Sequence, residues 1–327
     1  EIVVERDGQL ERTEVTFRDT THLMNVIERM LASVGLAVNE SDPICDACLA
    51  DGSRINVITP PLVLNGPTLT IRRKSREWTV QEFIERGALS PQAAEFLEAC
   101  VKAKVNLVVS GGTSTGKTTL VAILSSFIPP QERVITIENI SELDLQGRRH
   151  WVRLVGRAPN LQGRGEIPLR VLVKNALRMR PDRIILGEAR GGEALDVIQA
   201  AHSAHDGVIT VLHANSTEAA LERLETLMLM SGLDLSAEAC RMQITSAVDL
   251  VVHLARFADG TRRLASISQV IGVTPVGFQL EEIFAFEVSQ FTQDGKLQGG
   301  LRYTGVRPKC LDKFQLNNVP IPEWIAR

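Results

Sequence analysis

The sequence predicts an α/β fold: a small α+β unit, then a domain built on a parallel sheet and finished by β-hairpins. Three observations carry this expectation. Short apolar runs at 105–109, 134–137, 183–186 and 208–212 alternate with segments of helical periodicity, the pattern of a sheet buried on both faces. The first of these runs ends directly on a glycine-rich loop. Beyond Asp249, the pairs Asp259-Gly260 and Asp294-Gly295 sit between strand-like runs, which signals hairpins.

With 327 residues the chain exceeds the size at which one core usually stops growing, so two domains are expected, at 1–76 and 77–327. In the first, strands at 1–5 and 11–17 flank the turn Asp7-Gly8. A helix follows, capped by Asp19 or Thr20, with Leu23, Ile27, Met30, Leu31 and Val34 on one face and Gly35 at its end. Asp51-Gly52 separates short strands, Pro60-Pro61 and Asn65-Gly66-Pro67 break the chain, and 68–72 is extended. The boundary is placed near residues 74–78. Ser90-Pro91 then opens a helix, and further helices are expected at 118–127, 169–180 and 192–201.

Bulk properties narrow the class. Hydrophobic residues at 44% and charged residues at 23% describe an ordinary globular protein. A formal net charge of −3 gives no global attraction to nucleic acid or acidic membrane. Five cysteines, with one Cys45-x-x-Cys48 pair, form no disulfide framework and suit a reducing compartment, hence the cytoplasm. No stretch reaches the ~18 apolar residues of a membrane span. Glu1 opens a polar segment unlike a signal peptide, and the lack of an initiating Met suggests trimming at that end.

The chemistry begins at Gly111-Gly112-Thr113-Ser114-Thr115-Gly116-Lys117-Thr118, which matches the P-loop spacing in full. A phosphate needs converging N–H donors and a cation. Glycines let the backbone approach, and the following helix start adds its own N–H groups. Gly112, Thr113, Ser114, Thr115, Gly116, Lys117, Thr118 and Thr119 are therefore the nucleotide-binding candidates. Lys117 would reach the β- and γ-phosphates, and the Thr118 hydroxyl would ligate Mg²⁺. A buried strand before the loop and a helix after it are the context this motif requires.

Hydrolysis of ATP also needs acids to hold Mg²⁺ and to orient water. Two clusters qualify. Thr136-Ile137-Glu138-Asn139-Ile140-Ser141-Glu142 delivers carboxylates at the end of an apolar strand, and Arg183-Ile184-Ile185-Leu186-Gly187-Glu188 reads like a Walker B segment with Gly187 in place of Asp. His202, His205 and His213 fall within twelve residues, but without a cysteine among them a phosphate-sensing role fits better than zinc. Between Arg148 and Arg183 ten Lys or Arg face two acids, Glu166 and Asp182. Trp151 is the only stacking aromatic there, which weakens a nucleic-acid patch and leaves arginine fingers or a solvated basic surface. Cys45 and Cys48 read as ordinary buried thiols.

The run from Arg180 to Ala194, Arg-Pro-Asp-Arg-Ile-Ile-Leu-Gly-Glu-Ala-Arg-Gly-Gly-Glu-Ala, precedes His205-Asp206-Gly207 and Leu212-His213-Ala214-Asn215-Ser216. Together they resemble the type II/type IV secretion ATPase superfamily, and within it the CpaF/TadA type that drives tight-adherence (Flp) pilus assembly. The resemblance extends from Asp51-Gly52-Ser53-Arg54 to Gly305-Val306-Arg307-Pro308. It implies a RecA-like P-loop ATPase domain, a homo-oligomer that is a hexameric ring, and a peripheral position on the inner membrane through a platform protein. No nucleic-acid partner is expected. By resemblance, Glu138 lies near Mg²⁺, Glu142 activates water, Glu188 is the Walker B glutamate and a metal-site acid, and His205 and His213 form the His box. Arg153, Arg157 and Arg164 stand where the family places arginines acting within or between subunits, and Arg54 and Arg72 belong to segments that close over the nucleotide. Asn139, Ala204 and Cys48 replace the family's usual Asp, Gly and Arg. The linker at 74–78 is the expected hinge. A nucleic-acid translocase and a nucleotide-binding scaffold without turnover are the competing readings.

Overall fold

The computed structural model describes every residue except 7–8, 74–75, 77, 146, 158, 160–163, 204, 276, 293–294 and 327. The Asp7-Gly8 turn, Ala204, Asp294 of the second hairpin turn and most of the 74–78 linker therefore lie outside the described residues. The chain forms two compact units. The first is built on Glu1–Arg76 and takes in Ile140–Glu142, and the second carries Glu77–Asn139 and most of the chain beyond Glu142.

In the first unit β1 (Val3–Arg6) and β2 (Gln9–Arg12) pair antiparallel. The helix α1 (Thr20–Ala32) starts because the Asp19 carboxylate accepts the His22 N–H at 2.7 Å, so Asp19 rather than Thr20 is the cap. Its buried stripe, Ile27 and Leu31, packs with Ala47, Ile55 and Val57 of a three-stranded antiparallel sheet. That sheet is β3 (Ile44–Cys48), β4 (Arg54–Ile58) and β5 (Thr68–Arg72), in this spatial order.

The second unit runs α2 (Val80–Glu85), α3 (Pro91–Lys102), β6 (Leu107–Gly111), α4 (Lys117–Ser126), β7 (Val134–Glu138), β8 (Trp151–Val155), α5 (Leu169–Ala176) and β9 (Arg183–Leu186). It continues through α6 (Glu193–His202), β10 (Ile209–His213), α7 (Thr217–Leu229), α8 (Ala237–Ala247) and β11 (Leu250–Arg256). It closes with β12 (Arg262–Thr274), β13 (Gly277–Phe291), β14 (Leu297–Tyr303), α9 (Leu311–Leu316) and α10 (Glu323–Ala326). One mixed sheet in the order β14-β13-β12-β11-β6-β10-β9-β7-β8 organises this unit. The six strands from β11 to β8 are mutually parallel, and β12, β13 and β14 extend the sheet antiparallel.

Period-two alternation divides the core. Leu107 and Val109 of β6, Val211 of β10, and Leu250 and Val252 of β11 face α3 and α4, whereas Val108, Leu212 and Val251 face the layer of α5 to α8. β8 lies inside the basic segment, where charge obscured the half-buried pattern of Val152 and Leu154. The arginines there are partly structural. Arg148 donates to the carbonyls of Ser125, Ile128 and Pro129 at 2.6 to 3.1 Å, Arg170 pairs with Asp196 at 2.8 Å, and the buried Arg183 pairs with Glu132. These contacts consume charge that a nucleic-acid surface would need.

Asn106 fixes the starts of the three central strands. Its Oδ1 accepts the Gly207 and Val208 N–H groups at 2.8 and 3.0 Å, and its Nδ2 donates to the Ala247 carbonyl at 2.9 Å. Its own N–H donates to Asp249, which also binds Lys313 of α9 at 2.7 Å. Burial and the charge of Asp249 act oppositely on Lys313, and its pKa ends above the usual lysine value. Asn106→Ala strands two buried N–H groups and a carbonyl and is expected to cost about 2–4 kcal/mol, at roughly 1–3 kcal/mol per orphaned group softened by relaxation. Urea denaturation followed by circular dichroism checks this, and an unchanged midpoint would contradict it.

Candidate nucleotide-binding site

The loop after β6 is shaped by close backbone approach. Gly111 has φ +157°, and a Cβ there would lie 2.5 Å from the Leu254 carbonyl oxygen and 2.6 Å from Thr115 Oγ1, so only glycine fits. Ser114 and Gly116 adopt φ +58° and +99°, which turns the chain into α4. Gly112 is half-buried, Thr113 and Ser114 are exposed, and Thr115 is buried with its hydroxyl donating to the Gly112 carbonyl at 2.9 Å. Gly116, the N-cap, offers no side chain to the first N–H groups of α4. A helix start with that composition is suited to a phosphate, which supplies the missing acceptors.

Lys117 lies in the first turn of α4, buried at 7% exposure. Its Nζ donates to the carbonyls of Gly111 and Gly112 at 3.1 and 2.7 Å and reaches His213 Nδ1 at 3.4 Å. An ammonium has only protons to offer, so Nδ1 is the bare nitrogen and Nε2 carries the hydrogen. That Nε2 points at Glu188 Oε1, 3.3 Å away, and the second carboxylate oxygen of Glu188 accepts from Arg190 at 2.7 Å. Burial, then the Lys117 charge, hold the His213 pKa below the usual histidine value, which keeps the ring neutral at pH 7. Glu188 raises the Arg190 pKa in turn. The result is a chain of four groups from Lys117 through His213 and Glu188 to Arg190.

Register explains the convergence. β10 and β11 both pair parallel with β6, so that His213 and Leu254 each stand opposite Gly111. One row back, Ser110 stands opposite His253, and its hydroxyl lies 2.9 Å from His253 Nδ1, with both residues buried. Neither Ser110, His253 nor Arg190 is a candidate from sequence reasoning. For Ser110 and His253 the available signal was a polar residue interrupting an otherwise apolar strand.

The other expected residues distribute unevenly. Glu138 ends β7, is 4% exposed and accepts the Leu143 N–H at 2.9 Å. A Cβ on Gly187 would sit 2.7 Å from Glu138 Cγ, so the residue that a Walker B segment usually carries is excluded here by the Glu138 side chain. Thr118 and Thr119 are half-buried in the first turn of α4. Glu142 is ion-paired with Arg54 inside the first unit, where Arg54 and Arg72 are cross-strand neighbours on β4 and β5. Arg153 stacks on Trp151 at 4.7 Å and donates to the Leu143 carbonyl at 3.3 Å. Arg157 donates to the Gly165 carbonyl at 2.6 Å, and Arg164 is exposed.

His205 requires a correction. It precedes β10, at the amino edge of the parallel sheet, where its neighbour Asp206 pairs with Lys313 at 2.9 Å and Gly207 bonds Asn106. The five residues of β10, about 16 Å at ~3.3 Å each, separate that edge from the one that His213 shares with Gly111. The two histidines therefore cannot sense one phosphate within the same unit, because sequence proximity across a strand is not spatial proximity. Nor do three histidines meet as a zinc cage: among the described residues no cluster of three or more metal-binding side chains occurs.

A divalent cation fits the donors present. The Thr118 hydroxyl and the Glu138 and Glu188 carboxylates are hard oxygen ligands of the type Mg²⁺ selects. Glu138 is buried and its Oε1 accepts a backbone N–H, and a buried carboxylate favours a cation nearby. Gly187→Asp tests the packing at this point. It is expected to cost about 1–3 kcal/mol through overpacking and to lower nucleotide turnover, although it supplies an acid. Thermal melting with phosphate-release assays checks both, and higher turnover would contradict the prediction.

A family model described as type II/IV secretion system protein matches residues 1–285. The type IV secretion system protein VirB11 of Brucella suis biovar 1 is 33% identical over 291 residues, covering 80% of this chain and 81% of its own length. The type IV secretion system protein PtlH of Bordetella pertussis is 37% identical over 248 residues, covering 68% of this chain and 73% of its own. Among solved structures, the ATPase DotB of Legionella pneumophila matches in fold with a TM-score of 0.54 at 21% identity, covering 79% of this chain and 70% of that one. The chain belongs to the type II/IV secretion system protein family.

Proposed function

We propose that this protein is a Mg²⁺-dependent ATPase that powers assembly of a tight-adherence (Flp) type pilus or type II/IV secretion. It would act as a hexamer of two-domain subunits, divided near residue 76, on the cytoplasmic side of an inner-membrane platform protein. One observation carries the reading: Lys117, at the mouth of a glycine loop, is linked through a neutral His213 to Glu188. A phosphate-binding lysine connected to the next strand's acid is suited to report whether a γ-phosphate is present. The secretion context comes from the family and from the names of its relatives VirB11 and PtlH.

In this reading the loop amides and Lys117 hold the β- and γ-phosphates, and the α4 N-terminus adds its partial positive charge. His213 keeps a bare Nδ1 turned to the Lys117 ammonium, and Glu188, accepting from Nε2, holds the ring in that tautomer, so the imidazole orients Lys117 toward the phosphates. Glu142 orients water for in-line attack and takes its proton, while Arg153, Arg157 and Arg164 offset phosphate charge within or between subunits. Thr118, Glu138 and Glu188 would hold Mg²⁺, whose chemistry is to neutralise charge on the phosphate oxygens.

Two variants test this. Lys117→Ala is expected to abolish nucleotide binding, measured with a fluorescent ATP analogue; unchanged affinity would remove the site assignment. Glu142→Gln is expected to keep ATP binding and to lower turnover by about 10²–10⁴-fold, the usual contribution of a general base. If wild type and Glu142→Gln bind ATP and are equally inactive, the protein is a scaffold and not a motor.

A further inference from the structure

We propose that Glu193 is a positioning residue for the phosphate site: its buried carboxylate clamps the turn after β9 so that Arg190 holds Glu188, the acid that orients His213 and through it Lys117. The inference rests on the ATPase reading above and adds a residue to it.

Every link from Glu193 to Lys117 is a direct contact. Glu193 Oε1 accepts two backbone N–H groups, from Arg190 at 2.7 Å and from Gly191 at 2.9 Å. The Arg190 guanidinium donates to Glu188 Oε2 at 2.7 Å, and Glu188 Oε1 lies 3.3 Å from His213 Nε2. His213 Nδ1 in turn faces the Lys117 ammonium at 3.4 Å.

The helix that Glu193 starts does not account for its burial. Glu193 is the first residue of α6 and only 9% exposed, a costly place for a carboxylate unless its oxygens are engaged. An acid in the first turn ordinarily serves the free N–H groups of its own helix. In α6 the Ala194 and Leu195 N–H groups already donate to the carbonyls of Gly191 and Gly192, at 3.1 and 3.2 Å. Glu193 turns back instead, and its Oε1 engages residues that precede the helix.

The turn needs such a clamp. Up to Ala189 the chain is held by the sheet: the Gly187 N–H donates to the Ile137 carbonyl at 2.9 Å and the Ala189 N–H to the Val211 carbonyl at 3.0 Å. Beyond it come Arg190 and two glycines, the residue type with the greatest backbone freedom. A Cβ on Gly192 would stand 2.9 Å from Ser231 Cα, so glycine is required there and rigidity has to come from elsewhere. The Arg190 side chain is 60% exposed, and an exposed ion pair contributes little by itself because ordering a long side chain opposes it. Fixing the Arg190 backbone removes part of that opposition and keeps the guanidinium at Glu188.

The test uses the whole chain with Glu193→Ala, Glu193→Gln, Arg190→Ala, and Glu193→Ala combined with Arg190→Ala. Glu193→Asp, which retracts the carboxylate by one methylene, takes the place of the alanine variant if that does not fold. Glu193→Ala is expected to lower kcat by about 10- to 100-fold, the scale of a small misplacement of a reacting group, with ATP affinity within about twofold of wild type. Glu193→Gln keeps an oxygen that can accept both N–H groups and should recover most of the loss. Because Glu193 acts through Arg190, the combined variant should be no slower than Arg190→Ala alone, within about twofold. Losses that multiply overturn the proposal. So does a joint fall in kcat, affinity and melting temperature that glutamine does not restore, the outcome for a residue that only holds α6 in place.

A second readout needs no turnover. Histidine-selective ¹⁵N labelling reports the ring nitrogens of the six histidines. His213 should keep its wild-type tautomer in Glu193→Gln and show the same altered shifts in Glu193→Ala and Arg190→Ala. An unchanged His213 signal in Glu193→Ala, or a change there that Arg190→Ala does not share, overturns the proposal. Absence of turnover in wild type would instead defeat the ATPase reading, and the nitrogen signals would still decide the role of Glu193.

Discussion

The register of three parallel strands is the constraint on which the rest of the second unit depends. β10 and β11 flank β6 so that His213, Gly111 and Leu254 share one row at the carboxyl edge. At the amino edge the same strands are locked by Asn106, whose side chain and main chain bond residues leading into both neighbours. In a parallel sheet a slip of one residue would turn every core side chain to the other face. Pinning at both ends of a five-residue strand is therefore enough to fix the site.

From that register the electrostatics follow. Lys117 starts α4 beside the carbonyls of Gly111 and Gly112, and His213 arrives on the adjacent strand within reach of its ammonium. Burial, and then the neighbouring Lys117 charge, hold the His213 pKa below the usual histidine value, and the neutral ring is a donor toward Glu188 and an acceptor toward Lys117. The site is thus preset as a chain of alternating donors and acceptors.

Packing also explains why this site departs from the common Walker B pattern. Glu138 is buried at the end of β7 and occupies the space that a side chain at Gly187 would need. Glycine at 187 leaves room for the Glu138 side chain on the neighbouring strand. The acid and its missing partner at 187 are one feature.

Much of this was legible in the sequence. The apolar runs marked β6, β7, β9 and β10 because strands buried on both faces read as near-continuous hydrophobic stretches, and the glycine spacing marked the phosphate loop because only glycine tolerates such close backbone contact. The resemblance carried by residues 180–194 agreed with the family to which the chain belongs. β8 was hidden because an edge strand needs only a half-buried face, and the arginines around it masked that face. What tertiary structure alone decided was distance across the sheet. It parted His205 from His213 by the length of β10, and it joined Ser110 to His253 across 143 positions of sequence. Local sequence determines which residues form a strand and which way they alternate, while the pairing of strands, set by packing and hydrogen bonds between remote segments, determines which polar residues meet.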